Sequence, residues 1–147
     1  MHKIIFRIQI VFIGLLAATL LGCTKKSTEP VAGKISGVVT ISQELAATLK
    51  PTDVLYIIVR QQQMGPPTAV KRIERPQFPL NYVVGPEDAM MPSQGGFDDK
   101  TPVTVAARIS RTGNAMPAVG DLEGVYGKNP ARPGTGGVDI MIDRERK

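Results

Sequence analysis

The chain of 147 residues has no tryptophan, one cysteine, Cys23, and one histidine, His2. A single cysteine cannot close an internal disulfide, so whatever part folds is held by packing alone. His2 and Cys23 both lie outside the part that patterns as a folded domain, which starts near residue 34. Without a folded His or Cys, the chain has no Ser-His-Asp or Cys-His nucleophilic site, no ordinary zinc site and no C-x-x-C-H haem attachment. An excess of basic charge is also missing where it would matter. Of the formal net charge of +5, Lys3 and Arg7 supply two, the Lys25, Lys26 and Glu29 segment one, and Arg144 to Lys147 two, while residues 30–143 hold 11 basic and 11 acidic side chains. Binding nucleic acid requires clustered cations that release counterions, and no run in the body is denser in cations than Lys71, Arg72 and Arg75. Nucleic acid is thereby excluded as the main partner.

A long apolar run is lacking too. Ile8 to Leu21 is broken by Gln9 and, as a helix, reaches roughly 21 Å, short of the roughly 30 Å hydrocarbon core. With Lys3 and Arg7 at its start it has the plan of a secretory signal rather than a membrane anchor. Leu20-Leu21-Gly22-Cys23 matches the bacterial lipobox, in which cleavage after a small residue leaves cysteine as the acylated N-terminus. The expectation is removal of residues 1–22 and lipidation of Cys23 by a diacylglyceryl thioether, usually with a third chain on the new amine. Each buried methylene contributes about 0.8 kcal/mol, and two or three chains hold stably where one does not. The protein is therefore expected in the bacterial cell envelope, on the periplasmic side, held to a membrane by lipid. In bacteria that sort lipoproteins by the residue after the cysteine, Thr24 in place of Asp favours the outer membrane.

Residues 23–33 are polar and aperiodic and read as a tether, which as a flexible coil of about ten residues reaches roughly 17 Å. From there, stretches rich in Val, Ile, Thr and Tyr recur between Pro and Gly, as strands do between turns. The expected strands are Lys34–Ile41, Asp53–Arg60, Ala69–Glu74, Asn81–Val84, Val103–Ser110 and Val138–Asp143. In the second, Leu55, Ile57 and Val59 alternate with Val54, Tyr56 and Ile58, so both faces are apolar and the strand is expected to be central. In the fifth, Val105, Ala107 and Ile109 alternate with Thr104, Ala106, Arg108 and Ser110, which predicts one buried and one polar face. Gln43 to Lys50 is expected to be a short helical crossover of about two turns, residues 86–102 a long surface loop, and residues 113–137 an irregular stretch. Residues 34–143 are thus expected to form an all-β domain of two packed antiparallel sheets, a sandwich, with a closed barrel as the alternative, followed by a basic tail at 144–147.

Ala107-Arg108-Ile109-Ser110-Arg111-Thr112-Gly113-Asn114-Ala115-Met116-Pro117 and then Gly120-Asp121-Leu122-Glu123-Gly124 resemble a segment of the periplasmic C-terminal domain of the cytochrome c-type biogenesis proteins called CcmH, CcmI or CycH. The resemblance extends over about residues 35–143, through Gly37 to Ser42, Pro51 to Tyr56 with Arg60, Gly65-Pro66-Pro67 with Ala69-Val70, and Asp88 to Pro92. It implies an immunoglobulin-like sandwich and an accessory or scaffolding role in cytochrome c maturation, with maturation components or apocytochrome as protein partners. Members of that family usually carry a transmembrane N-terminus and tetratricopeptide repeats before the domain, and the repeats are chiefly credited with gripping the apocytochrome. Here a lipobox stands in that place. A structural envelope lipoprotein, or a subunit of a membrane-associated complex reusing the same sandwich, is the alternative. The oligomeric state is left open.

Among individual residues, Met64, Met90, Met91, Met116 and Met141 could supply thioether ligands to Cu(I), but without His or Cys three would have to converge, and they read instead as adaptable packing and soft contact surface. Asp98 and Asp99 read as solvated carboxylates. No metal, cofactor or catalytic residue is expected. Arg108 is expected to be a structural arginine bonding loop carbonyls, with Asp121 and Glu123 as available carboxylates, ahead of a partner-binding fork. Gly113-Asn114 suits a hairpin turn, since both tolerate positive φ. The expected partner-contact surface is the loop with Asp88, Met90, Met91 and Pro92, together with the turn holding Gly113, Asn114 and Met116.

Overall fold

The computed structural model describes residues 30–61, 65–91 and 100–147. Cys23 with its signal and most of its tether, as well as Met64, Pro92, Asp98 and Asp99, lie outside the described residues. Among these residues eight strands and one short α-helix follow in the order β1 (Ile35–Ile41), α1 (Gln43–Ala46), β2 (Val54–Arg60), β3 (Ala69–Glu74), β4 (Leu80–Val84), β5 (Thr104–Ser110), β6 (Leu122–Val125), β7 (Ile140–Ile142) and β8 (Arg144–Glu145), with a 3-10 turn at Pro86–Asp88 after β4. They form a three-stranded sheet in the order β4-β1-β7 and a five-stranded sheet in the order β3-β2-β5-β6-β8. Two packed sheets are what the strand pattern predicts, in place of a closed barrel, and they give the all-β, immunoglobulin-like sandwich that the resemblance implies.

The core lies between the sheets because alternation along each strand turns one apolar set inward. Ile35, Val39, Leu55, Ile57, Val59, Val84, Val105, Ile109 and Leu122 are fully buried, and Ile140 and Ile142 close the same cluster. Each such side chain contributes about 1.5–3 kcal/mol on burial. Tyr82 enters this core through a hydroxyl that donates to the Val138 carbonyl at 2.7 Å, and burial pushes its phenol well above the usual range. β2 pairs with β3 and β5, an interior place that matches its two apolar faces. Its outer residues Val54, Tyr56 and Ile58 form a second buried cluster with Val70.

Several expectations are corrected. The sandwich is not wholly antiparallel, because β1 and β7 run parallel with Val39 opposite Ile140. A strand appears inside the stretch expected to be irregular: β6, whose Leu122 and Glu123 pair with Ile109 and Arg108. Arg144 and Glu145, expected in a basic tail, form β8 on the edge of the five-stranded sheet. The chain therefore changes sheets between Ile142 and Arg144. This crossing presses on β6, where a Cβ on Gly124 would lie 2.1 Å from the Met141 carbonyl oxygen, closer than atoms approach. The helix is one turn rather than two, capped by the Ser42 hydroxyl, which accepts from the Leu45 N–H at 3.4 Å. It still carries the chain from the three-stranded sheet to the five-stranded one.

Candidate functional site

β5 carries the residue around which the outer surface of the five-stranded sheet is organised. Alternation places Arg108 on the face away from the core, expected to be a polar face, yet Arg108 is 3% exposed. The reason is the connection from β5 to β6, residues 111–121, which folds back over the strand. One guanidinium nitrogen donates to Asp121 at 2.5 Å and to the Met116 carbonyl at 3.1 Å, and the other donates to the Ala115 carbonyl. The guanidinium carbon sits 5.1 Å from the Tyr56 ring centroid, a cation–π distance. Tyr56 in turn donates from its hydroxyl to the Gly113 carbonyl at 2.8 Å.

Asp121 is the second half of the clamp. It is fully buried and also accepts from the backbone N–H groups of Ala118 at 3.0 Å and Arg111 at 3.1 Å. Burial raises its carboxyl pKa, but the bonds from Ala118, Arg108 and Arg111 outweigh that and hold it below the usual carboxylate range. Glu123, the other carboxylate expected to serve Arg108, is opposite it in register but bonds Arg146 at 2.7 Å. Arg111, which the sequence pattern alone does not single out, ties the loop to the rest of the domain. Its guanidinium donates to the Asp53 carboxylate at 2.7 Å and to the Thr48 carbonyl at 2.8 Å.

The Gly113-Asn114 expectation needs correction. Gly113 has φ of +76°, a left-handed conformation that suits glycine, but Asn114 is not in that region. No tight hairpin forms there, because the chain has to travel around the Arg108 side chain before returning as β6. Asn114 and Met116 face solvent on this loop, with Met116 76% exposed.

The other expected contact segment lies on a different element. The carboxylate of Asp88 accepts from the Gly85 N–H at 3.1 Å and pairs with Lys71 at 3.3 Å, so its charge is engaged in holding its own turn. Ala89 bridges to Ala69, and the Met90 N–H donates to the Thr68 carbonyl at 2.9 Å, which fixes the backbone against the start of β3. The side chains of Met90 and Met91 project outward, 58% and 54% exposed. The structure thus puts one methionine pair beside the β3 edge and Met116 over β5. Among the described residues no group of three or more His, Cys, Asp or Glu side chains is placed to hold a metal ion.

Beside the Arg108 loop a groove of about 430 Å³ opens on the outer face of the same sheet. Register explains it. Ala106 lies between Ile58 on β2 and Val125 on β6, and its small side chain leaves a depression bordered by Arg60, Pro117, Glu123, Arg144 and Arg146. Arg144 on β8 and Arg146 just past it reach the groove because β8 extends the sheet beyond β6. None of them was singled out from the sequence, where they lie 84 or more positions from Arg60 with no motif to join them.

The two sheets, the packed core and the strapped outer face define an immunoglobulin-like β-sandwich. Residues 35–143 match the family model of the cytochrome c-type biogenesis protein H Ig-like domain, and the chain belongs to that family. Membership supports a role in cytochrome c maturation. No curated protein and no solved structure matches the chain significantly. No helix among the described residues is long and apolar enough to cross a membrane.

Proposed function

We propose that this protein is a non-catalytic accessory lipoprotein of cytochrome c maturation, anchored through Cys23 on the periplasmic side of a membrane and binding protein partners there. The observation that carries the reading is the family match over residues 35–143, which takes in nearly all of the domain. The exposed Met90, Met91 and Met116 support a contact role, since flexible thioether side chains adapt to a partner's surface. The clamped loop supports it in another way. Arg108 and Asp121 are consumed in holding residues 111–121, so they act as positioning residues that present Met116 rather than as contacts themselves. Asp88 likewise positions Met90 and Met91 by fixing the turn before them. The short tether keeps these surfaces near membrane-bound machinery.

The test combines genetics with partner recovery. A deletion strain is expected to accumulate less holocytochrome c, and full-length protein carrying Met90→Asp and Met91→Asp is expected to recover at least about tenfold less partner from the native envelope, because two charges must be desolvated in the contact. Unchanged holocytochrome c in the deletion strain under all growth conditions would overturn the pathway.

A further inference from the structure

The groove floored by Ala106 holds a charge imbalance in a body that is otherwise neutral. Arg146 is paired with Glu123 and Arg108 with Asp121, which leaves Arg60 and Arg144. Among the described residues Arg144 approaches one carboxylate, Asp143, at 3.8 Å, and both are about half exposed, a contact that contributes little and exchanges easily. The Arg60 guanidinium is half-buried and has no hydrogen bond or ion pair among the described residues. Burial and the neighbouring Arg108 charge pull its pKa down, against the attraction of Glu123, so Arg60 stands in a setting that favours an added anion. Arg108 also lines the groove, and its buried Nε–H has no partner among the described residues, so its charge adds to the cationic character of this place.

We infer that this groove is an anion site for an acidic segment of a protein partner, with Arg60 and Arg144 receiving carboxylates above an apolar floor of Ile58, Ala106 and Val125. Guanidinium groups present paired donors that match a carboxylate bidentately, and the apolar floor suits the side chains that alternate with acidic ones along an extended chain. A membrane surface fits less well. A bilayer is flat on this scale and meets projecting cations, whereas these arginines border a depression that a projecting chain can enter. The inference rests on the partner-binding reading for its biological setting, but binding at the groove is measured without reference to cytochrome yield.

The experiment uses the full mature protein in detergent and a fluorescein-labelled peptide of alternating Val and Glu, read by fluorescence polarisation. A Val and Gln peptide serves as the neutral control, and glycerol 1-phosphate as a soluble stand-in for a lipid headgroup. The acidic peptide is expected to bind, more weakly as salt rises from about 50 to 300 mM, and the neutral one is not. Arg60→Gln with Arg144→Gln should weaken binding at least about tenfold. Ala106→Leu, which fills the floor and keeps every charge, should weaken it as well, so the outcome does not depend on one variant folding. Equal binding by wild-type and both variants would overturn the inference. So would displacement of the peptide by equimolar glycerol 1-phosphate, which would mark a phosphate site instead. If the acidic peptide binds as expected while the deletion strain matures cytochrome c normally, the groove stands and the pathway falls.

Discussion

Replacing Asp121 with Asn tests the clamp beneath the candidate contact loop. Asp121 is fully buried and accepts three hydrogen bonds, one from a guanidinium that is itself 3% exposed. Asn keeps the shape and one acceptor oxygen, but its amide turns a donor toward groups that are already donors. The Arg108 charge is then left buried with neutral oxygens and no counter-charge. Removing one partner of a buried pair costs about 3–5 kcal/mol, against a total stability of about 5–15 kcal/mol for a domain of this kind. Urea unfolding followed by far-ultraviolet circular dichroism at neutral pH should show that loss, and hydrogen exchange should show faster exchange at the Arg111 and Ala118 amides. The acid limb supplies a separate check. Because the folded pKa of Asp121 is depressed, its contribution is present above the unfolded value of about 3.9 and is lost as pH falls through the folded value. The wild-type protein should therefore lose stability below about pH 4 more steeply than Asp121→Asn does. Asp121→Asn combined with Arg108→Met should recover part of the single-variant loss, since no charge is then stranded. A cost below about 1 kcal/mol with an unchanged acid limb would refute the clamp.

Two other outcomes follow from particular residues. Gly124→Ala should cost about 1–3 kcal/mol or more in urea unfolding, because the added methyl meets the backbone of the Met141 crossing and no side-chain rotation relieves it; a change below about 0.5 kcal/mol would mean that β6 and the crossing are not pressed together. Mass spectrometry of native protein should find Cys23 modified and residues 1–22 absent, and Cys23→Ser should release the protein from the membrane; a Cys23→Ser protein that stays bound and normally processed would end the lipobox reading.

Where the chemistry of a strand is local, the sequence alone settles it. β2, β3 and β5 start and end within a residue of their expected bounds, because alternation of branched apolar side chains specifies both an extended backbone and its buried face. The same local logic marked Leu55, Ile57, Val59, Val105 and Ile109 as apolar positions, and all five are buried. The family was likewise legible, since the Arg108–Gly124 pattern is written in contiguous residues.

Tertiary contact decided the rest. β6 contains a glycine and a glutamate, and β8 consists of two charged residues, so neither has an apolar alternation to announce it; each is a strand only through the neighbour it pairs with. Arg108 obeys the alternation yet is buried, because a loop that begins three residues later returns to cover it. Two carboxylates, Asp121 and Glu123, share one face of the approach to β6, and sequence could not choose between them. Arg146 took Glu123 from beyond the end of β8, and the backbone N–H groups of the loop converged on Asp121. Spacing along a chain fixes which face of its own strand a side chain occupies, whereas the partner on that face comes from whichever distant segment the fold brings across it.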